Sequence, residues 1–429
     1  MNQIADKVTV QEERPELKQP LINIGTAGHV DSGKTTLVLS LSGVWTARHS
    51  EELRKGITIK LGYANTLIMR CPVCPEPYKW TTLALSPDGK CKRCGSTLEP
   101  VRFISFVDSP GHEMLMATML SGAAVMDSAI LVVDATLPCP QPQTREHFKA
   151  LEIMDVRNLI VVQNKVEVVS KERAVESYKE IKDFLKGTFA ENALIIPISA
   201  LHKANLDLLI EAIQKYMPNP ARDESKSLTM HVIRSFDINK PGTPVENLHG
   251  GVLGGTILQG TLKVGDEIEI LPGAKIRKGD KITFLPIITK VTGLRSGDIE
   301  LDVARPGGLI GVSTELDPSL TKNDGMIGNV VGRPGQLPRP VMNITVEYKL
   351  FDYVIGMKEQ VKVEPLKIKE ELVLNIGASR VLGVITSMTS DELVFKLGAP
   401  VVAYKNSKVA LNRKIANRWR LIGYGVLKD

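Results

Sequence analysis

The chain has no run of apolar residues approaching the length of a membrane span, and its first twenty residues, MNQIADKVTVQEERPELKQP, are polar, without the apolar core of a secretory signal. The expectation is a cytoplasmic protein with no membrane partner. No internal repeat or low-complexity block stands out. Cysteine is scarce, with five in 429 residues, and four of the five fall in one short stretch. A strong excess of charge of one sign is also lacking: 54 Lys and Arg against 48 Asp and Glu leave a formal net charge of +6. That balance permits an acidic partner such as RNA without demanding one. A hydrophobic fraction of 43% with 24% charged residues excludes disorder throughout. The length exceeds what one ordinary core serves, so two or three domains are expected.

After a tail to about residue 20, short continuous apolar runs follow one another: VRFISFV (101–107), AILVV (129–133), NLIVVQ (158–163) and ALIIPIS (193–199). Amphipathic segments such as Gln143 to Leu151 separate them. Runs of this kind suit strands of a parallel sheet covered by helices on both faces, a doubly wound α/β nucleotide domain over 21–217. The pattern changes at MPNPARDESKS (217–227), a charged link containing proline. Beyond it, turns such as NKPG, LPG and RPGG alternate with runs rich in Val, Ile and Thr, as in antiparallel barrels or sandwiches. A second boundary falls at GRPGQLPRP (332–340), because three prolines in nine residues cannot continue a central strand. The expected all-β units are 218–335 and 336–429.

Residues 28–35, GHVDSGKT, have the spacing of a loop whose backbone N–H groups wrap phosphate oxygens, with Lys34 and Thr35 serving the outer phosphates and Mg²⁺. The context agrees. LINIGTA (21–27) before it is of strand type, and KTTLVLSLSGV after it is helix-compatible and stops at Gly43. The candidate phosphate loop comprises Gly28, His29, Val30, Asp31, Ser32, Gly33, Lys34, Thr35 and Thr36. At the tip of the run VRFISFV stands DSPGH: Asp108 is placed to hold Mg²⁺ through water, and Gly111 to bring its N–H near a γ-phosphate. Such a pair senses whether the third phosphate is present. In RKGITIK (54–60), Thr58 offers a second hydroxyl to Mg²⁺ when that phosphate is bound.

At the tip of NLIVVQ lies NKVE, Asn164 to Glu167, and at the end of ALIIPIS lies SAL, Ser199, Ala200 and Leu201. An Asn-Lys-x-Asp loop selects guanine because its carboxylate accepts from the ring N1–H and the 2-amino group, a pair adenine lacks, while the Lys165 stem stacks on the base. Glu167 replaces the Asp and keeps the acceptor pair on a longer stem.

Cys71-x₂-Cys74 and Cys91-x₂-Cys94, sixteen residues apart, supply four thiolates for a structural zinc knuckle. Cys139 stands alone and reads as a small packed residue.

The order phosphate loop, GIT, DSPGH, NKVE, SAL resembles the translational GTPases, the group of elongation factor Tu. That resemblance implies that His112, after Gly111, positions the attacking water. The cysteine knuckle between HSEELRKGITIKLGYA and SPGHEMLMATMLSGAAVMD narrows the likeness to the gamma-subunit family of archaeal translation initiation factor two. PQPQTREHF (140–148), SALHKAN (199–205), RSFDINKPGT (234–243), GGVLGGTILQGTLKVGDEIEILPG (250–273), LDPSLTKND (316–324) and RWRLIGYG (418–425) extend it over almost the whole chain. It departs at Ser32, where the family has His, and at Glu167. The resemblance implies a P-loop GTPase domain with a zinc-knuckle insertion, two β-barrels, and a GTPase that binds initiator methionyl-tRNA and delivers it to the small ribosomal subunit. It also implies a trimer with alpha and beta subunits and the cofactors GTP or GDP, Mg²⁺ and Zn²⁺. The expected Mg²⁺ set is Thr35, Thr58, Asp31 and Asp108. The alternative is a selenocysteine-specific elongation factor or another tRNA-delivering translational GTPase, the former carrying a longer C-terminal extension.

The base-reading loop generates a prediction. Labelled GDP should be displaced by GTP and not by excess ATP, and Glu167→Ala should weaken guanine nucleotides by about 1 to 3 kcal/mol, the cost of losing a charged hydrogen bond. Glu167→Asp should preserve or improve affinity; competition binding reads all three.

Overall fold

The computed structural model describes residues 17–46, 60–112, 116–279, 281–357 and 360–428. Thr58 lies outside them. The N-terminal unit is a seven-stranded sheet of β1 (Asn23–Gly28), β2 (Gly62–Arg70), β3 (Trp80–Thr82), β4 (Glu99–Asp108), β5 (Ser128–Asp134), β6 (Asn158–Asn164) and β7 (Ile195–Pro197), in the order β3-β2-β4-β1-β5-β6-β7. Strands β4, β1, β5, β6 and β7 run parallel. Two apolar clusters cover the sheet, and β5 divides its side chains between them: Ile130 and Val132 join one, Ala129, Leu131 and Val133 the other. Burial on both faces is why these strands read as unbroken apolar runs rather than alternating ones.

Helices α1 (Lys34–Ser42), α2 (Met116–Ala123), α3 (Pro142–Ile153), α4 (Lys171–Leu185) and α5 (Leu206–Tyr216) belong to this unit. Gly43 ends α1 with φ 72°, and its N–H bonds the Leu39 carbonyl, the left-handed stop that glycine adopts without a Cβ penalty. The edge departs from an all-parallel reading: β2 pairs antiparallel with β4, and β3 antiparallel with β2. At the other edge the run ALIIPIS pairs as a strand only over Ile195–Pro197. Residues 17–20 are not a tail: Leu17, Gln19 and Pro20 are buried, and Gln19 Nε2 donates to the Arg305 and Gly307 carbonyls while its Oε1 accepts from the Arg305 N–H.

The middle unit carries β8 (Thr229–Phe236), β9 (Val252–Gln259), β10 (Leu262–Lys263), β11 (Glu267–Lys278), β12 (Lys281–Ser296), β13 (Ile299–Leu301), β14 (Val303–Ala304), β15 (Ile310–Thr314) and β16 (Val330–Gly332). Six of these close a barrel in the order β11-β16-β8-β9-β15-β12, with β12 returning to β11; β13 extends β12, and β10 pairs with β14. The last unit is a second closed barrel, β17 (Val341–Leu350), β18 (Glu371–Ile376), β19 (Ser379–Met388), β20 (Glu392–Val401), β21 (Lys408–Ile415) and β22 (Arg418–Leu427), ordered β17-β20-β19-β18-β21-β22.

Polar side chains join the units. Asn23 Nδ2 donates to the Val125 carbonyl at 2.9 Å and to Thr256 Oγ1 of the first barrel at 3.0 Å. Asp324 of the first barrel receives Lys60 at 2.5 Å and Arg234 Nε at 2.9 Å. Because Asn23 is fully buried, truncating it strands a carbonyl in an apolar setting. Asn23→Ala should therefore lower stability by about 1 to 3 kcal/mol, read as a lower thermal midpoint. An unchanged midpoint would show that this junction does not hold the units together.

Candidate functional site

The phosphate-type loop leaves β1 at Gly28 and enters α1 at Lys34. Gly28 has φ 138°, and a Cβ there would lie 2.2 Å from the Val132 carbonyl oxygen. Only glycine fits. Gly33, at φ 93°, faces Asn164 Nδ2, which a Cβ would approach to 2.2 Å. Lys34 is buried, and its Nζ donates to the carbonyls of Gly28 at 3.1 Å and His29 at 2.6 Å. Burial pulls its pKa down to about 8, against the opposing pull of Asp108 and Asp31. An ammonium so poorly solvated is a ready partner for an anion. Asp31 itself is exposed, in the left-handed region at φ 57°.

Asp108, at the tip of β4, is fully buried. Three hydroxyls reach its carboxylate: Thr26 at 2.9 Å, Thr35 at 2.7 Å and Thr46 at 2.6 Å. Gly111 lies over Lys34, so that a Cβ would stand 2.6 Å from Nζ and 3.1 Å from Val30 Cα. His112 beside it is half-buried.

Asn164, at the tip of β6, is a bridge. Its Nδ2 donates to the Ser32 carbonyl at 2.9 Å, and its Oδ1 accepts from the Ala200 N–H at 3.0 Å. One side chain thus ties the phosphate-type loop to both elements of the guanine-type loops. Lys165, at φ 64°, reaches Asp134 Oδ2 at 2.7 Å. Glu167 is exposed in a short 3₁₀ turn, Val166–Val168. Ser199 and Ala200 are buried, whereas Leu201 is 68% exposed. Each motif stands at the carboxyl end of a strand of one sheet, the edge where open α/β sheets bind ligands.

Three contributors carry no sequence signal of their own. Thr26 and Thr46 complete the Asp108 cluster, and His147 Nδ1 on α3 accepts the Gly28 N–H at 3.0 Å. Burial, with Lys34 and His29 nearby, holds the His147 pKa well below the usual imidazole value, leaving that nitrogen free to accept. Helical spacing places His147 on the inward face of α3 with Ala150 and Leu151, which marks it as buried and says nothing of its partner.

The four cysteines converge: their sulfurs lie within 4.8 Å of one another, with Cys71 and Cys94 3.4 Å apart and Cys74 and Cys91 3.7 Å apart. All are free thiols. A tetrahedron of sulfurs about 2.3 Å from a zinc ion has edges of about 3.8 Å, so the quartet fits that ion closely. Between β2 and the first barrel a cleft of about 690 Å³ opens, lined among others by Thr46, Lys60, Tyr63, Arg234, Phe236 and Ser296.

Comparison with known proteins agrees with this geometry. Residues 19–219 match the family model of the elongation factor Tu GTP binding domain, 250–329 that of elongation factor Tu domain 2, and 342–427 that of initiation factor eIF2 gamma, C terminal. Translation initiation factor 2 subunit gamma of Aeropyrum pernix is 53% identical over 415 residues, 96% of this chain and 99% of the relative. The protein of that name from Pyrococcus horikoshii is 53% identical over 417 residues, 97% and 100%. Among solved structures, bacterial selenocysteine-specific elongation factor EF-Sec superposes with a TM-score of 0.71 at 22% identity, covering 95% of this chain and 58% of that one. Elongation factor SelB from Methanococcus maripaludis does so with 0.69 at 23%, covering 96% and 80%. Those two likenesses concern the fold alone. At half identity over nearly the whole length, the chain belongs to the translation initiation factor 2 subunit gamma family and is a translational GTPase that binds guanine nucleotide.

Proposed function

We propose that the chain binds GTP with Mg²⁺ and, in that form, carries initiator methionyl-tRNA to the small ribosomal subunit, with hydrolysis as the release step. It acts in the cytoplasm as the core of a heterotrimer with alpha and beta subunits. The carrying observation is the convergence of Lys34, Thr35, Asp108 and Gly111 at the loop, with Asn164 joining that loop to the base-reading segments. The arrangement fits a nucleoside triphosphate: glycines where a Cβ would fill the cradle, a buried ammonium, and a carboxylate and hydroxyl side by side for a hard cation.

In this reading residues 28–36 cradle the phosphates, Asn164, Lys165, Glu167 and 199–201 hold guanine, and Thr35 and Asp108 hold Mg²⁺ with Asp31 and Thr58. Bound Mg²⁺ draws charge from the phosphoryl oxygens. Lys34 and the loop N–H groups stabilise the same charge, and His112 orients the water. The cleft between β2 and the first barrel takes the aminoacylated tRNA end. Its floor includes Thr46, which also bonds Asp108, so occupancy of the nucleotide site reaches the cleft through one side chain. Cys71, Cys74, Cys91 and Cys94 hold a structural Zn²⁺.

Filter binding of charged initiator tRNA with alpha and beta subunits present should give higher affinity with GTP than with GDP, and tRNA should tighten GTP binding by the same factor. Equal tRNA affinity in the two nucleotide states would refute the switch. His112→Ala should slow hydrolysis while leaving GTP and tRNA binding near normal; hydrolysis at the unmodified rate under activating conditions would remove His112 from this role.

For the cysteine quartet, elemental analysis should find zinc in the purified protein. Chelation should loosen the segment 71–94 without abolishing GDP binding. Metal-free protein with intact disulfides on mass mapping would contradict the assignment.

A further inference from the structure

Two adjacent residues of α3, Glu146 and His147, are fully or almost fully buried and face different parts of the molecule. His147 Nδ1 takes the Gly28 N–H at 3.0 Å, at the first residue of the phosphate-type loop. Glu146 Oε1 takes Arg420 of the second barrel at 2.9 Å, and the Arg420 side chain is itself buried. The loop bearing Gly356, also from the second barrel side, lies so close on that carboxylate that a Cβ at Gly356, φ 79°, would stand 2.0 Å from Glu146 Cδ. Around the pair the apolar core is continuous across the boundary. Ala410 and Leu421 of the barrel join Ala150 and Leu151 of the helix in one cluster. Burial lifts the Glu146 carboxyl to about 7, against the opposing pull of Arg420 alongside.

We propose that His147 is a positioning residue for the nucleotide loop, and that the Glu146–Arg420 contact beside it couples the seating of the second barrel to the geometry of that loop. The loop is held at two points. Asn164 grips the Ser32 carbonyl at its far end, and His147 fixes the peptide plane entering Gly28 at its near end. Gly28 cannot be stiffened by a side chain of its own, since a Cβ would collide with the Val132 carbonyl. The acceptor on α3 supplies that restraint. Because consecutive residues of a helix move together, any shift or rotation of α3 that follows the barrel through Glu146 is delivered to the Gly28 N–H through His147. Packed elements of this kind exchange between discrete arrangements rather than deforming smoothly. Loss of either contact widens the range of loop geometries and shortens the residence of the phosphates.

The inference rests on the reading of residues 28–36 as the phosphate cradle, and Lys34→Ala tests that reading separately: it should abolish GDP binding. If it binds as the unmodified chain does, the cradle assignment fails and not the coupling. The coupling is measured on the full chain by chase of a fluorescent N-methylanthraniloyl GDP, with competition by guanosine as a control that carries no phosphate. His147→Leu should speed GDP dissociation about tenfold, the worth of one buried hydrogen bond, with guanosine competition unchanged. His147→Asn, which offers an acceptor oxygen near the position of Nδ1, should restore most of the residence time. Glu146→Gln with Arg420→Met removes both charges without stranding either and should also speed dissociation. Added to His147→Leu, this change should have little further effect, because both act through one contact. A His147→Leu protein that releases GDP at the unmodified rate, or a His147→Asn protein no better than His147→Leu, overturns the positioning role. Effects that simply multiply in the combined variant overturn the coupling. Thermal melts identify any variant that fails to fold, in which case His147→Gln with the same chase decides the positioning role.

Discussion

The arrangement turns on one buried carboxylate. Asp108 is 0% exposed, and a carboxylate so buried needs fixed hydrogen-bond donors around it. Thr26 approaches from β1, Thr35 from the first turn of α1, and Thr46 from the segment after that helix. Each hydroxyl belongs to a different piece of chain, so the carboxylate holds the strand, the helix and the approach to β2 in mutual register. Thr46 gets there only because β2 begins with glycine: Gly62 pairs with Asp108 across the ladder, and a Cβ on it would meet the Thr46 Cβ at 2.6 Å. Antiparallel addition of β2 next to β4 thus serves the site as well as the sheet.

Around that centre, stiffness and freedom are distributed unevenly. The sheet is clasped by two apolar clusters and cannot slide without exposing them. The sheet unit meets the barrels through polar groups as well as apolar ones: Gln19 and Asn23 toward the first barrel, Asp324 with Lys60 and Arg234 at the cleft, and Glu146 with Arg420 and Ser121 with Asn375 toward the second, where Ala410 and Leu421 also join the apolar cluster of α3. Directional contacts either form or do not.

Much of this was legible in the sequence, and the residues show why. Gly28, Gly33, Lys34 and Thr35 announce themselves because a phosphate loop constrains consecutive residues, and local spacing is what a sequence displays. The same holds for the paired Cys-x₂-Cys turns, whose sulfurs converge as their spacing implies. The buried strands were equally plain as unbroken apolar runs. By contrast, β2 alternates buried and half-buried residues at an antiparallel edge and β3 is only three residues long, and their pairing depends on a hairpin interrupted by the cysteine segment. Gln19 looked like part of a polar tail because its partners lie nearly three hundred residues away. Thr26, Thr46 and His147 belong with Gln19: a threonine or histidine acquires meaning from what folds against it, and that information is spread over the chain.

Asn164 shows how the two kinds of information meet. As part of NKVE it is a base-reading residue by its local pattern, and each of its amide atoms also makes a bond inside the protein, one to the Ser32 carbonyl and one to the Ala200 N–H. It therefore sets the distance between the segment at Ser32 and the segment at Ala200. The Gly33 backbone packs against the same amide, and Ser40 of α1 donates to the Ala200 carbonyl at 2.6 Å, so the span between these loops is held by short side chains. Glu167 stands in an exposed turn outside that span, so the length of its side chain does not alter the distance Asn164 sets.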